Sequence, residues 1–184
     1  MASSPTDELR HEHEAVLLVV AAMEREVEDI KRTDAVDAQR VADMVDFTRN
    51  FTDGCHHTKE EKVLFPLMES TSASAGGPVS VMLSEHDAGR EYVRGIVEGL
   101  PDVERSAAAR AQVAENLAGY AYLLRLHINK ENTVLFPLAE QILDDEAKER
   151  LAAEFERVER EETGAGEHER YHEMAQRLAE PRRT

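Results

Sequence analysis

The sequence predicts an all-α protein: an up-down four-helix bundle made of two pseudo-symmetric helical hairpins, with a C-terminal helical extension. Three observations carry this. Apolar residues recur at helical spacing along nearly the whole chain, no β-alternation of useful length appears, and the first half repeats in the second. The 184 residues are enough for one domain with a sizeable core.

Each element can be placed in turn. Helix A is expected from about Asp7 to about Lys31, with acids in its first turn and a stripe of Leu9, Val16, Leu17, Val20, Met23, Val27 and Ile30 on which His13 also falls. Helix B is expected from about Ala35 to about Glu69, with Asp34 as its N-cap. Its stripe runs Val41, Met44, Val45, Thr48, His56, Glu60, Val63, Leu64, Leu67. Ser70 to Gly77 reads as a loop, and Pro78 as the first residue of helix C, which carries Val79, Met82, Leu83, His86, Val93, Val97 and Leu100. Pro101 marks the next break. Helix D is expected from about Ala107 to about Leu143, presenting Val113, Leu117, Tyr120, Leu124, His127, Glu131, Val134, Leu138 and Ile142 on one face. Pro66 and Pro137 should kink or end helices B and D. Two shorter amphipathic segments, about Glu146 to Glu162 and about Glu167 to Ala179, flank Thr163-Gly164-Ala165-Gly166. The expected division is therefore a bundle over residues 1–145 and an extension over 146–184 packing on it.

The repeat is specific. HHTKEEKVLFPLME, from His56 to Glu69, and HINKENTVLFPLAE, from His127 to Glu140, share H-x-x-K-E-x-x-V-L-F-P-L-x-E at an offset of 71 residues. Glu12-His13-Glu14 similarly matches Glu85-His86-Asp87 at an offset of 73. Each hairpin thus carries one E-H-acid and one H-x-x-K-E.

A His and a Glu four residues apart share a helix face, about 6 Å apart along the axis. Here that face is otherwise Val, Leu and Ile, and burying a carboxylate costs several kcal/mol unless something cationic compensates. Four histidines and two glutamates converging from four helices point to a pair of metal ions, with Fe, Mn or Zn fitting a sulfur-free imidazole and carboxylate set. The reading makes Glu60 and Glu131 bridging carboxylates and His13, His56, His86 and His127 terminal ligands, two per metal, with the pairing left open.

This arrangement resembles the hemerythrin and HHE cation-binding family over about residues 7 to 143. The resemblance implicates the same six residues. It implies two iron ions with an oxo or hydroxo bridge, Mn or Zn being possible substitutes. Oxygen-carrying members have a further His four residues after the third-helix His, where this chain has Arg90, and end on H-x-x-x-x-D rather than H-x-x-x-E. The set is more similar to di-iron proteins linked to nitric oxide stress and iron–sulfur repair, and to hemerythrin-like proteins linked to peroxide handling. The resemblance implies binding of, or reaction with, O2, peroxide or NO, in oxidative or nitrosative stress or iron homeostasis, with catalase-like peroxide decomposition or NO chemistry as possible activities. Iron handling or sensing without turnover, and reversible oxygen binding, are the alternatives.

Other residues are weighed against plainer roles. Arg90 either points inward to stabilise a bound anion or pairs with Glu91 or Asp87. Tyr120, two turns before His127, either reaches the metals or is a core tyrosine. Lys59 and Lys130 are expected to point away and pair with surface acids, His11 to be exposed, and His57 to serve a helix interface. His168 and His172 are spaced i, i+4 on the last segment, whose default is packing over the bundle.

The net charge of −16 argues against nucleic acid as a partner. The beginning of the chain has no basic region followed by an apolar run, so no signal peptide is expected, and no stretch is apolar enough to span a membrane. The single cysteine, Cys55, excludes an intramolecular disulfide and fits a cytoplasmic protein.

Overall fold

A computed structural model describes residues 4–164 and 166–181. Residues 1–3, at the start of the expected bundle, Ala165, in the expected break, and residues 182–184, at the end of the expected extension, lie outside the described residues. All elements among the described residues are helical.

Helix α1 spans Pro5–Thr33. Pro5 fits its first position because the missing N–H would have no helical partner there, and the Ser4 N–H donates to Asp7 Oδ2 at 3.2 Å. Asp34 ends α1 in the left-handed conformation (φ 51°), its N–H bonded to the Ile30 carbonyl. Asp34 is therefore a C-cap rather than the expected N-cap of the second helix. Its carboxylate is held by Arg110, and the N-cap is Asp37, which accepts from the Arg40 N–H. Helix B then begins with α2, Ala38–Phe47.

From α2 the rod continues without a break through wide i→i+5 turns over Thr48–His57 and Glu60–Leu64 into α3, Phe65–Thr71. α4 spans Gly76–Gly99, starting two residues before Pro78. α5, Ala107–Lys130, is capped by Ser106 and passes through a matching wide turn, Glu131–Leu135, into α6, Phe136–Ile142. The two prolines thus do not end their rods. Pro66 and Pro137 each come just after a wide turn, which re-routes the carbonyls that a proline cannot serve. Each wide turn also inserts a residue and rotates the helix beyond it. Val134, expected on the buried stripe, is 53% exposed, while Leu135 and Phe136 are buried. Leu83 is likewise exposed rather than on the core face.

α4 packs along α5, and α1 along α5 and α8. Gly119 on α5 lets Tyr92 of α4 approach to where a Cβ would stand, 2.3 Å from the ring. Two apolar clusters result. One holds Val20, Met44, Phe47, Phe51, Ile96, Leu117 and Leu124; the other holds Leu9, Leu64, Phe65, Met68, Val79, Leu135 and Phe136. The extension closes both. α7, Asp145–Val158, gives Leu151 and Phe155 to the second cluster, and α8, Glu167–Ala179, gives Tyr171, Ala175 and Leu178 to the first. Each such buried large side chain stabilises by about 1.5–3 kcal/mol. Between the clusters lies a belt of buried polar groups, because each rod changes cluster at or just after one histidine: His13 between Leu9 and Val16, His56 between Phe51 and Leu64, His86 between Met82 and Val93, and His127 beside Ile128, the last residue of the first cluster before Leu135.

Candidate metal centre

All six residues singled out by the repeat meet in this belt, and all are buried. The histidines form two pairs. His13 Nε2 stands 3.0 Å from His56 Nε2, and His86 Nε2 stands 3.1 Å from His127 Nε2. Glu131 puts Oε2 3.1 Å from His13 Nε2 and Oε1 3.1 Å from His127 Nε2. Glu60 puts Oε1 3.6 Å from His56 Nε2 and Oε2 3.5 Å from His86 Nε2. Each carboxylate therefore offers one oxygen to each histidine pair.

The outer ring nitrogens show why those inner atoms need a cation. His56 Nδ1 donates to Glu12 at 2.7 Å, His127 Nδ1 to Glu85 at 3.0 Å, His86 Nδ1 to Glu61 at 2.7 Å and His13 Nδ1 to the Asn132 side-chain carbonyl at 3.0 Å. With the proton on Nδ1, a neutral ring turns a lone pair inward at Nε2; burial lowers the pKa of His127, but the Glu131 and Glu85 carboxylates outweigh it and raise it overall. Burial keeps His56 in that neutral form, lowering its pKa to about 4 despite Glu12. Between neutral rings the close Nε2 pairs are facing lone pairs, and all four carboxylate oxygens of Glu60 and Glu131 are buried without a hydrogen-bond partner. Burial, and then the Glu131 carboxylate alongside, push Glu60 well above the usual carboxylate range. Four lone pairs and four unserved oxygens in one dry belt repel one another unless positive charge sits among them. Donor atoms of His13, His56, Glu60 and Glu131 lie within 4.8 Å of one another, as do those of His57, Glu60, His86 and His127. The residues fit a two-metal site.

The rest of the repeat serves the same centre. Lys59 does not point away to the surface. It is fully buried, with Nζ 2.6 Å from each of Glu8, Glu12 and Glu159. Burial alone would lower its pKa, but Glu12 and the other acids raise it and keep it charged. Lys130 pairs with Glu85, the matched partner. In each hairpin the lysine thus holds the glutamate that holds the histidine, a role hidden in the sequence because it joins helices distant along the chain. The carboxylates of Glu12 and Glu159 and the thiol of Cys55 also cluster, and Lys59 is the cation among them.

Arg90 pairs with Asp87, as its plainer reading has it, but also with Asp53 and Glu61. It reaches the centre through Glu61 to His86 and through Asp53 to His57, not directly. Tyr120 is buried. Burial raises its pKa strongly, while the Thr48 and Thr52 hydroxyls beside it act in the opposite direction. His57 is nearer the centre than an interface role implies: it stacks on His86 at 3.7 Å and its Nδ1 lies 3.3 Å from Asp53. The second histidine of the His56-His57 pair was the only sequence signal for it. A cleft of about 230 Å³ lined by Arg49, Asp53, His57, His86, Arg90 and Tyr120 leads in from the surface. His11 is exposed and stacks on His172.

A family model of the hemerythrin HHE cation-binding domain matches residues 4–139, which contain all six residues. The chain belongs to this family. Among curated relatives, the iron–sulfur cluster repair protein YtfE of Pectobacterium carotovorum is 36% identical over 88 residues, covering 46% of this chain and 40% of the relative. That of Escherichia coli O157:H7 is 39% identical over 88 residues, with the same shares. That of Edwardsiella ictaluri is 28% identical over 148 residues, covering 74% of this chain and 66% of the relative. The chain thus spans about two-fifths of the length of the first relatives it matches. No solved structure matches. In this hemerythrin-family chain, no helix among the described residues is long and apolar enough to cross a membrane.

Proposed function

We propose that the chain holds two iron ions, one at His13 and His56 and one at His86 and His127, bridged by Glu60 and Glu131, and that it reacts with a small oxidant, O2, peroxide or NO, in oxidative or nitrosative stress or iron homeostasis. The single observation that carries this reading is the set of four partnerless carboxylate oxygens facing four inward lone pairs. Bound iron would supply redox chemistry and open coordination positions that the protein's own groups lack. The Nδ1 hydrogen bonds fix the ring orientations, and the two apolar clusters keep bulk water from the centre. The cleft that reaches His57 and His86 supports approach of a small molecule from one side. The relatives' printed role in iron–sulfur cluster repair supports the stress assignment, and the single buried cysteine suits a reducing cytoplasm.

The test is metal analysis with optical spectra of the purified protein, before and after peroxide or NO. Two irons per chain, near-UV absorption of an oxo-bridged pair and a spectral response are expected. Iron without any response would leave iron handling or sensing as the function.

A further inference from the structure

The helices beyond the family match reach the candidate centre. The match ends at residue 139. α7 and α8 come later, and the end of α7 and the start of α8 lie against the polar belt. At the end of α7, Glu159 Oε1 stands 2.6 Å from Lys59 Nζ. At the start of α8, His168 Nε2 stands 3.2 Å from Glu12 Oε1 and 3.5 Å from Glu159 Oε1. The other oxygen of Glu12 accepts from His56 at 2.7 Å. Glu12 is thus held by Lys59, His56 and His168 and is fully buried. Its counterpart Glu85 has His127 and Lys130 for partners and is 19% exposed. The extension therefore adds a partner to one half of the pseudo-symmetric centre alone.

We propose that His168, braced by Glu159, is a positioning residue for the metal at His13 and His56, acting through Glu12 on the His56 ring, and that the extension thereby adds to the inequivalence that Asn132 on His13 and Glu61 on His86 already give the two metal positions. This rests on the two-metal reading above. Groups that orient a ligand histidine typically change metal affinity by about 10–100-fold when removed. Removing His168 takes one of the three donors from Glu12 and opens that side of it to water. The effect falls on one position because the hydrogen bonds of Glu85 and His127 run to Lys130 and to each other rather than to α8.

The experiment loads the full-length chain with 57Fe and compares iron content, Mössbauer spectra and chelator-driven iron release across variants. Wild type is expected to give two distinguishable iron environments. His168→Ala should change one of them, leave the other unaltered, and speed release of one iron by about tenfold. His168→Gln, which keeps an N–H donor near Nε2, should recover most of the difference. Leu178→Ala loosens α8 through its apolar face and should leave the spectrum unchanged; an equal change there would reduce His168 to a packing role and overturn the proposal. If His168→Ala fails to fold, Glu159→Gln is read in its place. Two irons with spectra and release unaltered in these variants would also overturn it. A wild-type chain that binds no iron would instead sink the two-metal reading itself.

Discussion

The two hairpins carry nearly the same residues around the candidate centre, yet they sit in different surroundings. On the α1 side, Lys59 is fully buried among three carboxylates. On the α4 side, Lys130 is 38% exposed and pairs with Glu85. Glu69 is exposed, whereas its match Glu140 accepts from Ser4 and Thr6 and pairs with Lys148. The six central residues keep their symmetry because each is fixed by its own helix register and by convergence on a common point. The supporting residues lose it because the covering segments meet the two hairpins at different places: Glu159 and His168 lie over the Lys59 side of the first, and the N-terminal turn and Lys148 over Glu140 of the second.

The largest effect tests the symmetric part. Replacing His56 and Glu60 together by Leu should abolish binding of both metals, because Glu60 faces both histidine pairs. The metal-free chain should become no less stable, and by up to about 4 kcal/mol more stable, since an uncompensated buried carboxylate is removed. Metal analysis and urea denaturation check this. Changing His127 and Glu131 to Leu should do the same, and a clear difference between the two double variants would break the symmetry assigned to the core of the centre.

The next effect tests the asymmetric part. Lys59→Met strands three acids, two of them partly exposed, around a buried site and should cost about 3–5 kcal/mol in urea denaturation. Lys130→Met removes a partly exposed pair and should cost about 1 kcal/mol or less. Equal losses would mean that covering by the extension does not matter.

The smallest effect compares the last residues of the repeat. Burial raises Glu140, but Lys148, Ser4 and Thr6 outweigh it and hold its carboxyl below the ordinary 4.5. A depressed carboxyl contributes stability above its ordinary value and loses it as pH falls through the folded value. Glu140→Gln should thus lower stability at pH 7 by at most about 1 kcal/mol, discounted for exposure, and in urea denaturation the gap from wild type should close as pH falls below 4.5. Glu69→Gln should change little at either pH.

The sequence by itself determined the helical class, the two-hairpin repeat and the six residues that meet in the belt. Those features are local or periodic: a His and a Glu at i, i+4 on an apolar stripe must enter the core together wherever that stripe is buried. Tertiary structure decided the rest. It paired His13 with His56 and His86 with His127, turned Lys59 inward, brought His57 against His86 and set His168 on Glu12. It also used wide turns where Pro66 and Pro137 were expected to kink or end a helix. A charged residue's periodicity says only which face it occupies. Whether that face meets water, an acid of another helix or a ligand histidine depends on packing between segments as far apart as Glu12 and His168, which no local pattern encodes.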